Sequence, residues 1–418
     1  MHYVGHGHQP HPQPPSPPSG RASFAGRYGG GQRGRRRRVG GRNGHHGRIA
    51  LLCEQDRDDN VREDRRRQGG ERDEHRDRRE YGELFGDRGL REQRVVHREH
   101  FVPGELTVYS IVERFRAMGT DAEVTVVDGD AHLVRVARAR VADLEARWSR
   151  FVPTSEISRL NAAEGRATTL SPETVTLISR ARDGFELTNG RFDALQLDAL
   201  EAVGYRVSFE SIGRPTVDRP ASETQRNRAA TRGPIEIDET LGRVALPKGA
   251  RFDPGGIGKG LAADFVVDEL RALGAAGVCV NLGGDVRVSG VAPDSESWLV
   301  AVRDCGDDDP IAMLSLADGA VATTSRSRRR WQSTAGDEFH HIIDPDTGTS
   351  AHTPVLHATA VASKGWQAEV LSKVAFLDRS AGINLAEQVG ATALVATAFG
   401  IAVGPSWDRF ARTMEMAA

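Results

Sequence analysis

An α+β fold from about residue 108 onward is what this sequence predicts, on three observations. Apolar periodicity is absent from the first quarter of the chain and sets in near Phe115. Beyond that point strand-like and helix-like patterns both occur. Turn signals then join several strands directly into hairpins, with helices between them, which is the mark of an α+β architecture and not of a doubly wound parallel sheet.

The elements follow in order. Asp121–Val127 alternates polar and apolar residues as a strand does, and Ala131–Trp148 places Leu133, Val136, Ala137, Val141 and Leu144 at helical spacing. Ser171, Pro172 and Glu173 form a helix start, a capping hydroxyl followed by proline at the first position, and Asn189–Gly190 is the matching stop. Residues Arg206–Arg232 are polar and unpatterned, an excursion loop. Ile235–Ile237 and Val244–Leu246 flank Asp238–Gly242 as a hairpin. A helix over Ile257–Leu273 precedes a buried strand, Val278–Leu282, and strands near Val286–Val288 and Leu299–Val302. Ala312–Leu316 is expected to pair with Ala320–Thr323 across Asp318–Gly319. Ala358–Ala362 feeds a helix over Trp366–Leu377, and Leu394–Thr397 is a late strand.

Two regions of unlike composition divide the chain. Residues 1–107 pass from a His-, Pro- and Gly-rich start through the basic run Gln32–Arg38 into mixtures of Arg, Asp, Glu and Gly. Too few aliphatic residues are present to offset the entropy of ordering, so this stretch is expected to be a disordered low-complexity extension, or sequence ahead of the true start. Residues 108–418 are expected to hold the folded domain.

Composition narrows the function. With a net charge of −2, the chain as a whole lacks the clustered positive surface of a nucleic-acid binder. Cys53, Cys279 and Cys305 have no metal-type spacing and read as reduced thiols. No apolar run approaches the roughly 18 residues of a membrane span, so no stable membrane insertion is expected. The apolar stretch Ile49–Cys53 is too short for an export signal and has Leu52, not a small residue, before the cysteine, and a cytoplasmic location is expected.

Three segments carry chemistry. In Phe252–Asp264, FDPGGIGKGLAAD, four glycines surround Lys259 at the start of an apolar helix, where backbone amides and an ammonium can face an anion. No Ser or Thr follows the lysine, so this is not a Walker loop, and the glycine spacing is not that of a dinucleotide fingerprint. Asn281–Asp285, NLGGD, follows a buried strand and permits close backbone approach or a tight turn. In His340–Gly348, HHIIDPDTG, an imidazole beside a carboxylate in a rigid turn suits proton transfer. Adjacent strand residues face opposite ways, so one of His340 and His341 is expected to be solvated.

Taken in order, these segments resemble the FAD:protein FMN transferase (ApbE-like) family over about 300 residues. Met118–Gly119–Thr120 is similar to that family's opening MGT, and Trp148–Phe151 with Ser155–Asn161 to its serine-rich stretch. Gly190–Asp193 resembles G-x-F-D, Asp253–Gly260 with Asp264 resembles DLGGIAKG-x-x-x-D, and Asn281–Asp285 matches NLGGD. Ala322–Ser325 is close to ATSG, and His341–Gly348 fits HIIDP-x-TG.

The resemblance implies a single mixed α/β, T-fold-like domain whose cleft holds FAD as substrate. It further implies that a Thr or Ser hydroxyl of an acceptor protein takes FMN from the diphosphate and that AMP leaves. By position, Met118, Phe151, Arg191, Phe192 and Asp193 would line the flavin site, Asp253, Lys259 and Ile342 would hold the nucleotide, and Asp264 belongs to the cofactor-binding set. Gly283, Gly284, Thr324 and Ser325 join the binding set by the same carry-over. His341 is the expected base and Asp344 its orienter. The competing readings are a flavin-binding protein without transfer, FAD hydrolysis with water as acceptor, and nucleic-acid binding through the N-terminal arm.

Three departures stand out. Phe151 occupies a position where the family carries tyrosine, which keeps stacking and loses a hydroxyl contact. The glycine of ATSG is replaced by Arg326, followed by Ser327 and the basic run Arg328–Arg330. At the magnesium site the family's final A-D-x-x-x-T becomes Ala368–Glu369 with Lys373, alongside backbone near Gly256. Glu369 can ligate a cation, whereas an ammonium has donors only. Two unit charges about 4 Å apart interact by roughly 4 kcal/mol at an effective dielectric of 20, and a divalent ion doubles the repulsion. Lys373 therefore points away from a metal, pairs with Glu369 on the surface, or takes the metal's place against the diphosphate.

Overall fold

A nine-stranded antiparallel sheet forms the backbone of the domain. Its spatial order is Gly400–Val403, Thr392–Thr397, Val355–Ala362, Asp318–Ser325, Asp285–Gly290, Gly277–Leu282, Thr120–Val127, Val108–Ala117 and Val95–His100. The computed structural model describes residues 49–50, 95–100, 108–208, 233–293, 296–303, 310–327, 329–332 and 336–412. Strands Ile49–Ala50 and Val95–His100 fall within the N-terminal extension, and the rest of that extension lies outside the described residues. So does most of the excursion expected over Arg206–Arg232.

Seven helices occur among the described residues: α1 (His132–Trp148), α2 (Glu156–Ala162), α3 (Pro172–Leu187), α4 (Leu197–Ala202), α5 (Gly258–Ala272), α6 (Gly365–Leu377) and α7 (Arg379–Gln388). None is long and apolar enough to cross a membrane. The capping predictions are met. Ser171 accepts the Thr174 amide at the start of α3, and Asn189 and Gly190 both adopt positive φ beyond its end. The α2 helix was not foreseen, although Ser155 caps it by accepting the Ser158 amide.

Both faces of the large sheet are buried. Val124, Val126, Val278, Val280 and Leu282 point into a core shared with α1, α3 and α5. Val127, Cys279, Val286 and Val288 point the other way, onto Trp298, Val300 and Leu314 of a second sheet. That second sheet has the order Ile49–Ala50, Trp298–Arg303, Pro310–Leu316, Ala411–Arg412. Two-sided burial explains why Gly277–Leu282 is buried at every residue and does not alternate with polar positions.

One predicted hairpin is wrong. Pro310–Leu316 pairs with Trp298–Arg303, whereas Asp318–Ser325 pairs with Val355–Ala362 and Asp285–Gly290. At Asp318–Gly319 the chain changes sheets, so the two strands face each other across the core as Leu314, Leu316 and Val321. A turn signal between apolar runs reports a reversal, and it does not say whether the strands pair or stack.

The site is positioned where α5 and α6 nearly touch. A Cβ on Gly260 would lie 2.3 Å from the Gly365 carbonyl oxygen, and one on Gly365 would lie 2.3 Å from that of Gly260. The second glycine of G-K-G is therefore a helix-contact residue. Gly260→Ala is expected to cost about 1–3 kcal/mol through overpacking, measurable as a lowered denaturant midpoint with an unchanged slope.

Candidate active site

A cavity of about 290 Å³ opens between the Met118 hairpin, the end of α1, the loop before α5 and the turn at His341. Met118 and Gly119 form its first wall. They join Val108–Ala117 to Thr120–Val127 as a two-residue turn with φ of 52° and 67°, the left-handed pair that tight hairpins require. A non-glycine residue there is uncommon, and it puts the Met118 side chain at the cavity.

The second wall is aromatic and cationic. Arg150, with its side chain 5% exposed, holds Asp253 through Nε at 2.6 Å and donates to the Tyr205 carbonyl at 2.9 Å. Its guanidinium lies 4.1 Å from the Phe151 ring centroid and 4.7 Å from that of Tyr205. Arg329 reaches the same corner, donating to the Tyr205 hydroxyl at 3.3 Å and the Gly119 carbonyl at 3.4 Å. Asn161 fixes the loop before α5, accepting the Phe252 amide at 2.7 Å and donating to its carbonyl at 2.9 Å. Asp253 then accepts the Gly255 amide at 2.8 Å and shapes the turn beneath the cavity.

Two lysines line the floor, each bonded to a buried carboxylate, Asp285 or Glu369, that does not itself line the cavity. Lys259 is hydrogen-bonded to Asp285, and its Nζ lies 3.3 Å from Glu369 Oε1. Lys373 Nζ lies 3.4 Å from that same oxygen. The other carboxylate oxygen of Glu369 accepts the Gly260 amide at 2.8 Å. Burial opposes the charge on Lys259, yet Asp285 and Glu369 prevail and raise its pKa above the ordinary value. Burial likewise opposes the Glu369 carboxylate, and Lys259, Lys373 and the Gly260 amide hold its pKa below the usual range. For Lys373 burial dominates, reinforced by Lys259 against the pull of Glu369, and its pKa is lowered.

His341 lines the cavity, and its Nδ1 is buried without a hydrogen-bond partner. Burial first, then Arg329, His340 and Lys373, push its pKa well below the ordinary imidazole value. The imidazole is thus held neutral. His340 faces away from the cavity. Contrary to expectation it is not solvated: it packs edge-on to Phe376 with centroids 6.1 Å apart and bonds the Ala351 carbonyl at 3.0 Å. Since its Nδ1 accepts the Ile342 amide, Nε2 carries the proton.

Eleven expected residues line this one cavity: Met118, Phe151, Arg191, Phe192, Asp193, Asp253, Gly256, Lys259, His341, Ile342 and Lys373. Others lie elsewhere. Asp344 pairs with Arg191 at 3.0 Å, and Asp346 pairs with the same guanidinium, so Asp344 braces the turn and does not orient the imidazole. Asp264 is buried under the start of α6, accepting the Gly365 and Trp366 amides. A Cβ on Gly283 would lie 2.2 Å from Thr120 Oγ1, so Gly283 serves strand packing, and neither it nor Gly284 lines the cavity. Thr324 bonds Ser372 beneath α6 at 2.8 Å, and Ser325 bonds the Leu356 carbonyl at 3.3 Å. Sequence reasoning assigned no individual role to Arg150, Tyr205 or Asp285, and it read the basic run holding Arg329 as a phosphate receiver or a solvated loop, whereas Arg329 bonds Tyr205 and Gly119 at the cavity.

A divalent cation does not fit the floor as built. The two carboxylates there, Asp285 and Glu369, are each bonded to an ammonium, and Lys373 occupies the position where the resemblance implies an oxygen ligand. Among the described residues no group of three or more His, Cys, Asp or Glu side chains could hold a metal ion.

The model of the ApbE family matches residues 118–395. The FAD:protein FMN transferase of Rhodobacter capsulatus is 29% identical over 250 residues, 57% of this chain and 46% of that protein. The one from Treponema pallidum is 28% identical over 254 residues, 53% of this chain and 65% of that protein. The chain thus spans between about half and two thirds of the length of these relatives. Among solved structures, the ApbE protein of Thermotoga maritima matches with a TM-score of 0.64 at 25% identity, over 76% of this chain and 100% of that one.

Proposed function

The chain belongs to the ApbE family, and from that premise we propose that it is a flavin transferase, moving FMN from FAD onto a Ser or Thr hydroxyl of an acceptor protein. One observation carries this reading: a neutral imidazole whose Nδ1 has no hydrogen-bond partner lines the same cavity as two ammoniums, beside a wall of aromatic and thioether side chains. Such a wall suits a planar ring, and the ammoniums suit a diphosphate. Phosphoryl transfer asks a protein for positioning, charge neutralisation and a base for the attacking hydroxyl.

In this reading Met118, Phe151 and Phe192 flank the flavin, with Arg191 and Asp193 at the edge of its site. Asp253 shapes the loop on which the diphosphate rests, Ile342 closes the nucleotide side, and Lys259 neutralises the diphosphate. The acceptor oxygen attacks the flavin-side phosphorus, and a new O–P bond forms as the bond to the bridging oxygen breaks. The hydroxyl proton passes to His341, and AMP departs with the bridging oxygen, which can take that proton back. No step passes through a metal.

The test is incubation of the full chain with FAD and a flavin-acceptor domain, following the acceptor by mass spectrometry and AMP by chromatography. A covalent FMN adduct with matching AMP is expected. Free FMN and AMP without an acceptor would replace transfer by hydrolysis, and FAD binding with neither product would leave a flavin-binding protein.

A further inference from the structure

Lys373 is built into the floor of the cavity and does not hang over it. It sits one helical turn after Glu369, and its Nζ meets both the Oε1 of that residue at 3.4 Å and its carbonyl oxygen at 3.5 Å. Its stem lies against Gly256, where an added Cβ would stand 3.2 Å from Lys373 Cε and 3.0 Å from Phe192 Cε2. A larger residue at 256 would displace the lysine.

The charges are balanced. Lys259 and Lys373 share Glu369 Oε1, the Gly260 amide takes the second oxygen, and Asp285 is held by Lys259. Two positive and two negative side chains sum to zero, so the floor is neutral without any bound ion. A divalent cation arriving at Glu369 would meet two ammoniums already on the oxygen it needs. An anion arriving from the cavity would meet the same two ammoniums, each with three donors.

We propose that Lys373 is a resident cation that takes the place of a divalent metal ion at the diphosphate of the substrate, so that this chain binds its dinucleotide without metal. The inference rests on FAD being the substrate. It goes beyond that reading in assigning the second diphosphate-binding cation to an ammonium on α6. Lys259 and Lys373 then clamp the diphosphate from α5 and α6, and the close contact of those helices at Gly260 and Gly365 sets their separation. The clamp depends on helix packing and is indifferent to metal supply.

Equilibrium FAD binding, read from the change in flavin fluorescence on adding the full chain, tests this directly. Binding in EDTA is expected to equal binding in excess magnesium. Lys373→Met should weaken it about 10- to 100-fold, the loss of one charge-assisted hydrogen bond, and Lys373→Arg should retain most of it. Lys373→Thr, which supplies a hydroxyl and vacates the ammonium, should bind FAD better with magnesium than with EDTA. Circular dichroism of each variant separates lost binding from lost folding. Binding by the unaltered chain that needs magnesium, or that Lys373→Met leaves unchanged in a folded protein, would overturn the proposal. Intact, metal-independent binding without any adduct would count against transfer alone. Absence of FAD binding under every condition would overturn both.

Discussion

His341→Gln is expected to lower kcat and kcat/KM together by about 10²- to 10⁴-fold, the usual contribution of a positioned general base, with FAD affinity close to unchanged. The reason is local. His341 Nδ1 is buried with no hydrogen-bond partner, so replacing the ring breaks no bond at that nitrogen. Removing it should cost chemistry and not folding. A variant with full activity would remove the base from the proposed mechanism, and one with a much lower melting temperature would make the residue structural.

The pH profile is a second test of the same residue. Burial, helped by Arg329, His340 and Lys373, lowers the His341 pKa well below its ordinary value. A base with a lowered pKa stays unprotonated as the pH falls through about 6.5, so the transfer rate should hold there and decline only at clearly lower pH. For stability the sign is opposite in effect. The unfolded chain takes up a proton near pH 6.5 that the native state refuses, so this residue erodes stability as pH drops below that point. Rate and stability should therefore separate on the acid side, and a rate that halves near pH 6.5 would contradict an imidazole with a lowered pKa.

What the sequence revealed and what it hid divide along a physical line. Local signals were legible: the Ser171–Pro172 start of α3, the Asn189–Gly190 stop, and the glycine–lysine segment that brings Lys259 to the cavity. Side-chain pairing between distant segments was not. Nothing in periodicity announces that Arg150 would hold Asp253, or that Arg191 would take Asp344 away from His341. Charged residues read as solvated until the fold brings their partners. The Asp318–Gly319 turn was legible as a reversal, but the choice between pairing and stacking depends on which sheet offers each strand more burial. Gly283 and Gly284 show the same limit: a glycine pair marks close approach without saying whether a ligand or Thr120 approaches.

Asp264 is where a motif position and its physical role part most sharply. Carried over by resemblance as a cofactor-binding residue, it instead accepts the Gly365 amide at 2.8 Å and the Trp366 amide at 3.1 Å, and lies 3.2 Å from Arg287. Arg287 is itself only 4% exposed. Asp264→Ala would leave two buried amides at the start of α6 without acceptors and the guanidinium with one carboxylate partner fewer. The expected loss is about 3–5 kcal/mol at pH 7.5, seen as a lowered denaturant midpoint, because a broken buried pair leaves uncompensated polar groups. Any effect on FAD binding should then follow unfolding and vanish in the folded fraction. Burial also raises the Asp264 pKa to about 6, against the two amides and Arg287. The native state thus holds a proton, between about pH 4 and 6, that the unfolded chain has released, so the contribution of this group to stability falls as pH rises through that window. Asp264→Asn, which cannot titrate, should flatten that part of the stability curve. A stable Asp264→Ala protein with weakened FAD affinity would return the residue to the binding site, and would mean that the start of α6 finds its acceptors elsewhere.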